Sequence, residues 1–363
     1  MNTRINILTT NDSPNSFSFI FPLLVNRRRL LDSGITLRIF TSLKDALFEE
    51  DMIFLDSKYF RSWWTREDSV YGLIRRMKRS ARAVLWFDTT DSTGTPQFKV
   101  MPYVDGYYKN QILKEAGMYY KRFYGGRLIS DYYHNEFGIS EERESPFVLN
   151  PLDPAYRSKL FVSWNPALND HGIFANNYSL WGNIRSRSRL LIPPRKYTAR
   201  FIDAGRVRNV PIAARFGLTH ARNFVKFHRE MLLRRLRRYN VDSRFVSHAA
   251  YYNELGNAKL SVSPFGLGEI TYKDFETIIC GALLVKPDMG HVETWPDLYL
   301  DGRTYVSCKW DFSDLGDKID HLLSSPEKAR GMAAEAQDIY KRYLFNGGDE
   351  FAGRIEEIVR RHA

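Results

Sequence analysis

SPFGLGEITYKDFETIICGALLV, residues 263–285, reads as the end of one strand, a glycine-containing turn, a helix and the next buried strand. The first strand ends at Ser263, and Gly266 and Gly268 then permit tight turns and close approach of the backbone to a ligand. A helix expected over residues 272–280 points its N-terminus into the same space, where unpaired N–H groups and the helix dipole favour phosphate. Lys273 adds a cation there, and Glu276, about one turn on, offers a carboxylate to two neighbouring hydroxyls such as those of a ribose. A plain glycine loop before a helix, with Glu276 on a solvated face, fits the same spacing, because a lone G-x-G is a weak signal.

Outward from this segment, both halves alternate short apolar runs with amphipathic stretches, the pattern of an α/β protein with parallel strands. In the first half, residues 5–8, 35–40, 52–55 and 83–87 read as strands, with helices over 17–31 and 69–81. In the second, 210–214, 260–262 and 282–285 read as strands. Phe224, Phe227, Met231, Leu232 and Leu236 share one helix face, with Arg229, Arg234, Arg235 and Arg238 mostly elsewhere. From residue 325 the chain reads as helical to about 344 and again over 349–361. Residues 115–195 are poorly periodic and read as long loops, and Pro193-Pro194 with the polar stretch to Arg200 makes a candidate linker. The expected fold is α/β, with two Rossmann-like parallel-sheet domains, 1–195 and 196–363, facing a cleft. A ligand then belongs outside the carboxyl ends of the strands, at the loops 9–16, 88–94, 215–222 and 264–276.

Composition agrees with an ordinary globular protein: 363 residues, 44% hydrophobic and 26% charged, which excludes a disordered or collagen-like chain. The length favours two domains over one. Two cysteines, Cys280 and Cys308, are too few for a disulfide framework or a cysteine-rich zinc site. The N-terminal stretch is polar, and the longest early apolar run, residues 19–25, is far short of the roughly 20 residues that span a bilayer. The expectation is a cytoplasmic protein, with peripheral contact at the inner face of an anionic membrane as an added option.

The run over residues 263–285, with KPD at 286–288 and PDLY at 296–299, resembles the donor-binding region of GT-B glycosyltransferases, and within them the exostosin-like and CgeB-like branches. The matching positions are Pro264, Gly266, Lys273, Phe275, Glu276 and Gly281. The resemblance implies that Glu276 holds the ribose of a nucleotide sugar, while Lys273 and the glycines lie against its diphosphate. With Pro264, Gly266, Gly268, Glu269, Thr271, Lys273 and Glu276, the donor set includes Arg215 and Gly217 from the loop after residue 214. Glu269 and Glu276 stand seven apart, where the retaining pattern has two glutamates eight apart, which favours inversion.

In GT-B enzymes a basic residue near Arg215 often neutralises the leaving diphosphate, stabilising charge that develops there. Arg222 and His220 share this loop, and each also reads as a solvated residue. An inverting transfer needs a base for the acceptor hydroxyl. Asp88 and Asp91, after one strand, and Asp12, after another, are the candidates, and each also fits an ordinary cap or turn role. Asp105 and Lys109 fit an acceptor site or a surface ion pair at helical spacing. No paired-histidine or Asp-x-Asp pattern points to a metal, and no cofactor is expected.

The net charge of +11 is concentrated between residues 195 and 244, where fourteen cations face three carboxylates. No nucleic-acid-binding motif accompanies them, so no nucleic-acid partner is expected: most of these arginines read as a solvated helix face, and attraction to anionic headgroups or glycans explains the clustering as well. The expected function is metal-independent sugar transfer from a nucleotide diphosphate to a glycan or lipid-linked acceptor in surface polysaccharide or glycoconjugate synthesis. The alternative is a non-catalytic glycan- or partner-binding protein on a degenerate scaffold.

Overall fold

The computed structural model describes residues 2–141, 151–171 and 196–363. In the first half, β1 (Thr3–Leu8), β2 (Ile35–Phe40), β3 (Met52–Asp56), β4 (Ala83–Asp88) and β5 (Gly106–Lys109) form a sheet. The short β6 (Gln111–Leu113) leaves that sheet and β7 (Leu160–Val162) completes it, in the order β2-β1-β3-β4-β5-β7. Every neighbouring pair is parallel. Strands β3 and β4 are buried along their whole length, which is why they read as unbroken apolar runs rather than alternating ones.

The second half carries β8 (Val210–Ala213), β9 (Ala258–Val262), β10 (Leu283–Pro287) and β12 (Tyr305–Cys308), in the order β12-β10-β9-β8, again all parallel. The remaining strand, β11 (Val292–Thr294), pairs antiparallel with β6 and ties one half to the other. Two Rossmann-like parallel sheets thus face each other across a cleft, the α/β arrangement expected from the sequence.

The helices refine the sequence reading. The expected first helix starts earlier, at Pro14, and divides into α1 (Pro14–Val25) and α2 (Arg27–Asp32). The break has a local cause. Pro22 sits inside α1, and at Asn26 both the backbone N–H and the side-chain amide bond the Pro22 carbonyl, at 3.1 and 2.9 Å. Helix α3 (Glu67–Met77) begins and ends before the expected bounds. The segment read as loops holds α4 (Leu128–Phe137) as well as β7. Residues 193–195 of the expected linker lie outside the described residues. Of its remainder, Tyr197 and Ala199 are buried in the first half's core, and Thr198 donates to Asp170 at 2.6 Å, so these positions are packed chain.

The second half adds α5 (Asn223–Leu236), α6 (His248–Asn257), α7 (Tyr272–Cys280), α8 (Leu315–Ser324), α9 (Pro326–Lys341) and α10 (Gly348–Arg361). Two helices cross over. Ile129 and Tyr133 of α4 belong to the core of the second sheet, with Phe224, Leu260 and Phe312. Phe351, Ile355 and Val359 of α10 return to the first sheet and pack with Ile5, Leu37 and Phe87. Helix α7 lies between the halves, with Phe275, Ile278 and Ile279 buried in the same cluster as Ile7 and Phe19. Each such side chain contributes about 1.5–3 kcal/mol by leaving water, so the two halves share a core as well as a cleft.

Candidate functional site

Where the carboxyl ends of the two sheets meet, a cleft of about 330 Å³ opens. Asn15 and Ser18 of α1 and Asp91 line it on one side, and His220, Arg229, Gly266, Gly268, Thr271 and Tyr272 on the other. Each of the four loops singled out by the strand-end rule contributes a residue to it.

The first wall is organised by buried polar pairs at strand ends. Asp88, at the end of β4, is fully buried and ion-paired with Lys109 of β5 at 3.1 Å. It also accepts from the Tyr107 hydroxyl at 2.5 Å and from Thr90 N–H at 2.9 Å. Burial pushes the Lys109 ammonium below its ordinary range, and Asp88 pulls the other way. Beside this pair, Asp56 at the end of β3 accepts from Thr9, Thr89 and Lys58 N–H, tying three loops together. Burial raises its carboxyl in spite of these donors.

The three candidate bases are therefore in different situations. Asp88 is enclosed by its partners. Asp12 stands on the surface in an ion pair with Arg61 at 2.6 Å. Only Asp91 of the three lines this cleft, where Asn15 Nδ2 donates to its Oδ1 at 2.6 Å and Gln111 Nε2 to its carbonyl at 2.5 Å. Asp105 and Lys109 do not pair: Asp105 binds Lys78 at 2.7 Å, and Lys109 points into the buried cluster.

The second wall departs from the sequence reading in its cations. Arg215 is bound by Glu254 at 2.7 Å and Asp242 at 2.8 Å, which hold its guanidinium above the ordinary range. The Lys273 ammonium donates to the carbonyls of Val262 at 2.8 Å and Arg215 at 3.2 Å, and burial lowers it to about 7. Among the described residues, the cation that lines the cleft is Arg229, on α5. Its Nη1 reaches the Gly217 carbonyl at 3.3 Å, its Nε is buried with no partner, and among the described residues no carboxylate pairs with it. Burial lowers its guanidinium. Next to it, His220 Nδ1 accepts from Arg222 N–H at 3.0 Å, so the ring's proton sits on Nε2. Burial, Arg229 and Arg222 keep that ring neutral-leaning, below its ordinary range. The apolar face formed by Phe224, Phe227, Met231, Leu232 and Leu236 does not single out Arg229, but Val225 is buried as well. Val225, Arg229 and Leu232 stand at i, i+4 and i+7, which places Arg229 on a buried stripe.

The glycine-rich loop is built from below. His228 Nε2 accepts from Phe265 N–H at 3.0 Å, which leaves the proton on Nδ1 for the Tyr133 hydroxyl, and that hydroxyl donates to the Trp310 carbonyl at 2.6 Å. Helix α7 opens on a capping box between Thr271 and Asp274. Asp274 also pairs with Lys286 of β10 at 3.1 Å, both side chains fully buried, and accepts from Ser263 and Tyr299. Gly281, with φ of 72°, closes the same helix in the left-handed conformation, where a side chain would meet the Ile202 carbonyl at 2.5 Å.

Gly268 and Glu269 face the other half. A Cβ on Gly268 would lie 1.4 Å from the Asp91 carbonyl oxygen. The Glu269 carboxylate accepts from the Thr93 hydroxyl at 2.5 Å and Thr93 N–H at 3.0 Å. Gly266 has open space, with Thr271 Cγ2 the nearest atom at 3.8 Å. Glu276 is buried along α7, where the Tyr251 hydroxyl of α6 donates to its Oε2 at 3.0 Å. Pro264 is buried behind the loop. Gly217 has a positive φ of 58° and packs on Phe245. Cys280 and Cys308 are both buried free thiols, and burial pushes Cys280 up to about 12. Among the described residues there is no cluster of three metal-ligating side chains, and no helix is long and apolar enough to cross a membrane.

No protein-family profile and no curated protein sequence matches the chain. Solved structures with a similar chain path include the Anabaena protein HepE in complex with UDP-glucose, 13% identical, covering 99% of this chain and 100% of that one, with a TM-score of 0.47. A glycosyltransferase from Rickettsia africae is 11% identical over 99% and 98% of the two chains, with a TM-score of 0.47. Sucrose-phosphate synthase from Thermosynechococcus elongatus is 12% identical over 99% of each, at 0.45. Likeness at this level assigns neither residues nor activity to the present chain.

Proposed function

We propose that the protein is a glycosyltransferase that moves a sugar from a nucleotide diphosphate to a glycan or lipid-linked acceptor, by inversion and without a metal. The observation that carries this reading is Arg229, a half-buried cation with no carboxylate among the described residues, set in the cleft beside Gly266 and the start of α7. A desolvated guanidinium and a helix N-terminus favour a phosphate-bearing ligand. Arg229 would stabilise the negative charge that grows on the departing diphosphate as the glycosidic bond breaks. Asp91, across the cleft and oriented by Asn15, would take the proton of the acceptor hydroxyl as it attacks. Glu276 is the proposed ribose carboxylate.

On this reading the second half, from about residue 196, carries the donor and the first half the acceptor. The surface cations serve anionic acceptors or the inner membrane face, in polysaccharide or glycoconjugate synthesis. A hydrolysis screen of nucleotide sugars tests the proposal without knowledge of the acceptor. At least one donor should be cleaved by the wild type, with EDTA present, and Asp91→Asn should slow that cleavage by about 100-fold or more. No cleavage and no binding of any donor would reject it.

A further inference from the structure

The residue pair that joins the two cleft walls lies outside the donor contacts just described. Glu269 belongs to the glycine-rich loop of the second half, yet it is fully buried and its carboxylate reaches Thr93 of the first half. Both oxygens are used: Oε1 accepts from the Thr93 hydroxyl and Oε2 from the Thr93 N–H. His291, just before β11, stands 3.5 Å from Oε1. The Thr93 carbonyl accepts in turn from the Tyr119 hydroxyl at 2.8 Å, and that oxygen accepts from Leu113 N–H of β6 at 2.9 Å. A second contact runs beside the first. The Gly268 backbone lies against the Asp91 carbonyl so closely that no side chain fits between them.

These contacts bracket Asp91. Its main chain touches Gly268, and two residues later the chain is bonded through Thr93 to Glu269. We propose that Glu269 is a positioning residue: it fastens the 91–93 loop to the donor loop and so sets the distance between the base and the sugar donor. The inference rests on the reading of Asp91 as the base. It gives Glu269 no contact with donor or acceptor, and its carboxylate is needed as a hydrogen-bond acceptor rather than as a charge.

That distinction makes the test. Glu269→Ala removes the fastening, and turnover of a nucleotide sugar should fall by about 10-fold or more, since small misplacements of a reacting group are costly. Nucleoside diphosphate affinity should stay within about threefold, because the diphosphate contacts are untouched. Glu269→Gln should recover most of the turnover: its amide oxygen accepts from Thr93 N–H and its NH₂ meets the Thr93 hydroxyl. Thr93→Val deletes only the hydroxyl, should give a smaller loss, and should add nothing in the Glu269→Ala background. If Glu269→Ala fails to fold, Thr93→Val and Glu269→Gln decide the matter alone. A Gln variant as impaired as Ala, a parallel loss of nucleotide affinity, or unchanged turnover in the Ala variant would each overturn the positioning role. Asp91→Asn, assayed alongside, separates the two claims. Full activity there rejects the base, whereas loss there with a silent Glu269→Ala rejects only the positioning.

Discussion

His228 is buried beneath the glycine-rich loop as a neutral ring, and that makes the fold's acid sensitivity calculable. Its Nε2 is the acceptor for Phe265 N–H, so a second proton on the ring would set two donors against each other. Burial, with Lys286 and Arg229 nearby, lowers its pKa from 6.5 to about 3. His171 is likewise lowered by burial, to about 4. Because the folded pKa is depressed, the unfolded chain binds protons first as the pH falls. Stability is complete above about pH 6.5 and declines below it. At pH 5 each ring accounts for about 2 kcal/mol of lost stability, so the pair accounts for about 4. His228→Gln keeps an acceptor for Phe265 N–H but cannot titrate. Urea unfolding followed by tryptophan fluorescence at pH 7.5, 6.5, 5.5 and 5.0 should show a lower stability for the variant at pH 7.5. Its further decline by pH 5 should be about 2 kcal/mol smaller than that of the wild type. Parallel declines in the two proteins would refute the assignment of a neutral, loop-supporting His228.

Three further outcomes follow from the strand-end pairs and the loop contacts. Lys109→Met leaves the Asp88 carboxylate buried without its cation and should cost about 3–5 kcal/mol in unfolding free energy, part of it regained in the Lys109→Met, Asp88→Asn double variant. Gly268→Ala should lower stability by about 1–3 kcal/mol, because its Cβ meets a main-chain oxygen of the other half. Gly266→Ala, with nothing closer than 3.8 Å, should unfold within about 0.5 kcal/mol of the wild type in the same assay.

The elements legible in the sequence are those whose signal is local. Strands β3, β4 and β10 open on apolar runs, and α7 is bounded by Thr271 and Gly281. Strand β5 was not legible, because Gly-Tyr-Tyr-Lys carries a lysine into the sheet that Asp88, 21 residues away, and the Thr90 hydroxyl make tolerable. Strand β7 is three residues long, and its reason to be a strand is the open edge of β5. The cleft was legible, since parallel strands put their following loops on one side. The identity of its charged residues was not. Asp12, Asp88 and Asp91 look alike in sequence, and Arg61, Lys109 and Asn15 are what separate them. In the same way Glu254 and Asp242 engage Arg215, while Arg229 rides on the buried stripe of α5 into the cleft.

Calorimetric titration of uridine, guanosine, cytidine and thymidine diphosphate sugars into the wild type, Arg229→Met and Glu276→Ala tests the central claim most directly. At least one nucleotide should bind the wild type, with affinity reduced by about 1–3 kcal/mol in each variant through loss of charge-assisted hydrogen bonds. Absence of binding across the panel, or equal affinity in wild type and Arg229→Met, would contradict the assignment of the cleft as a nucleotide-sugar site.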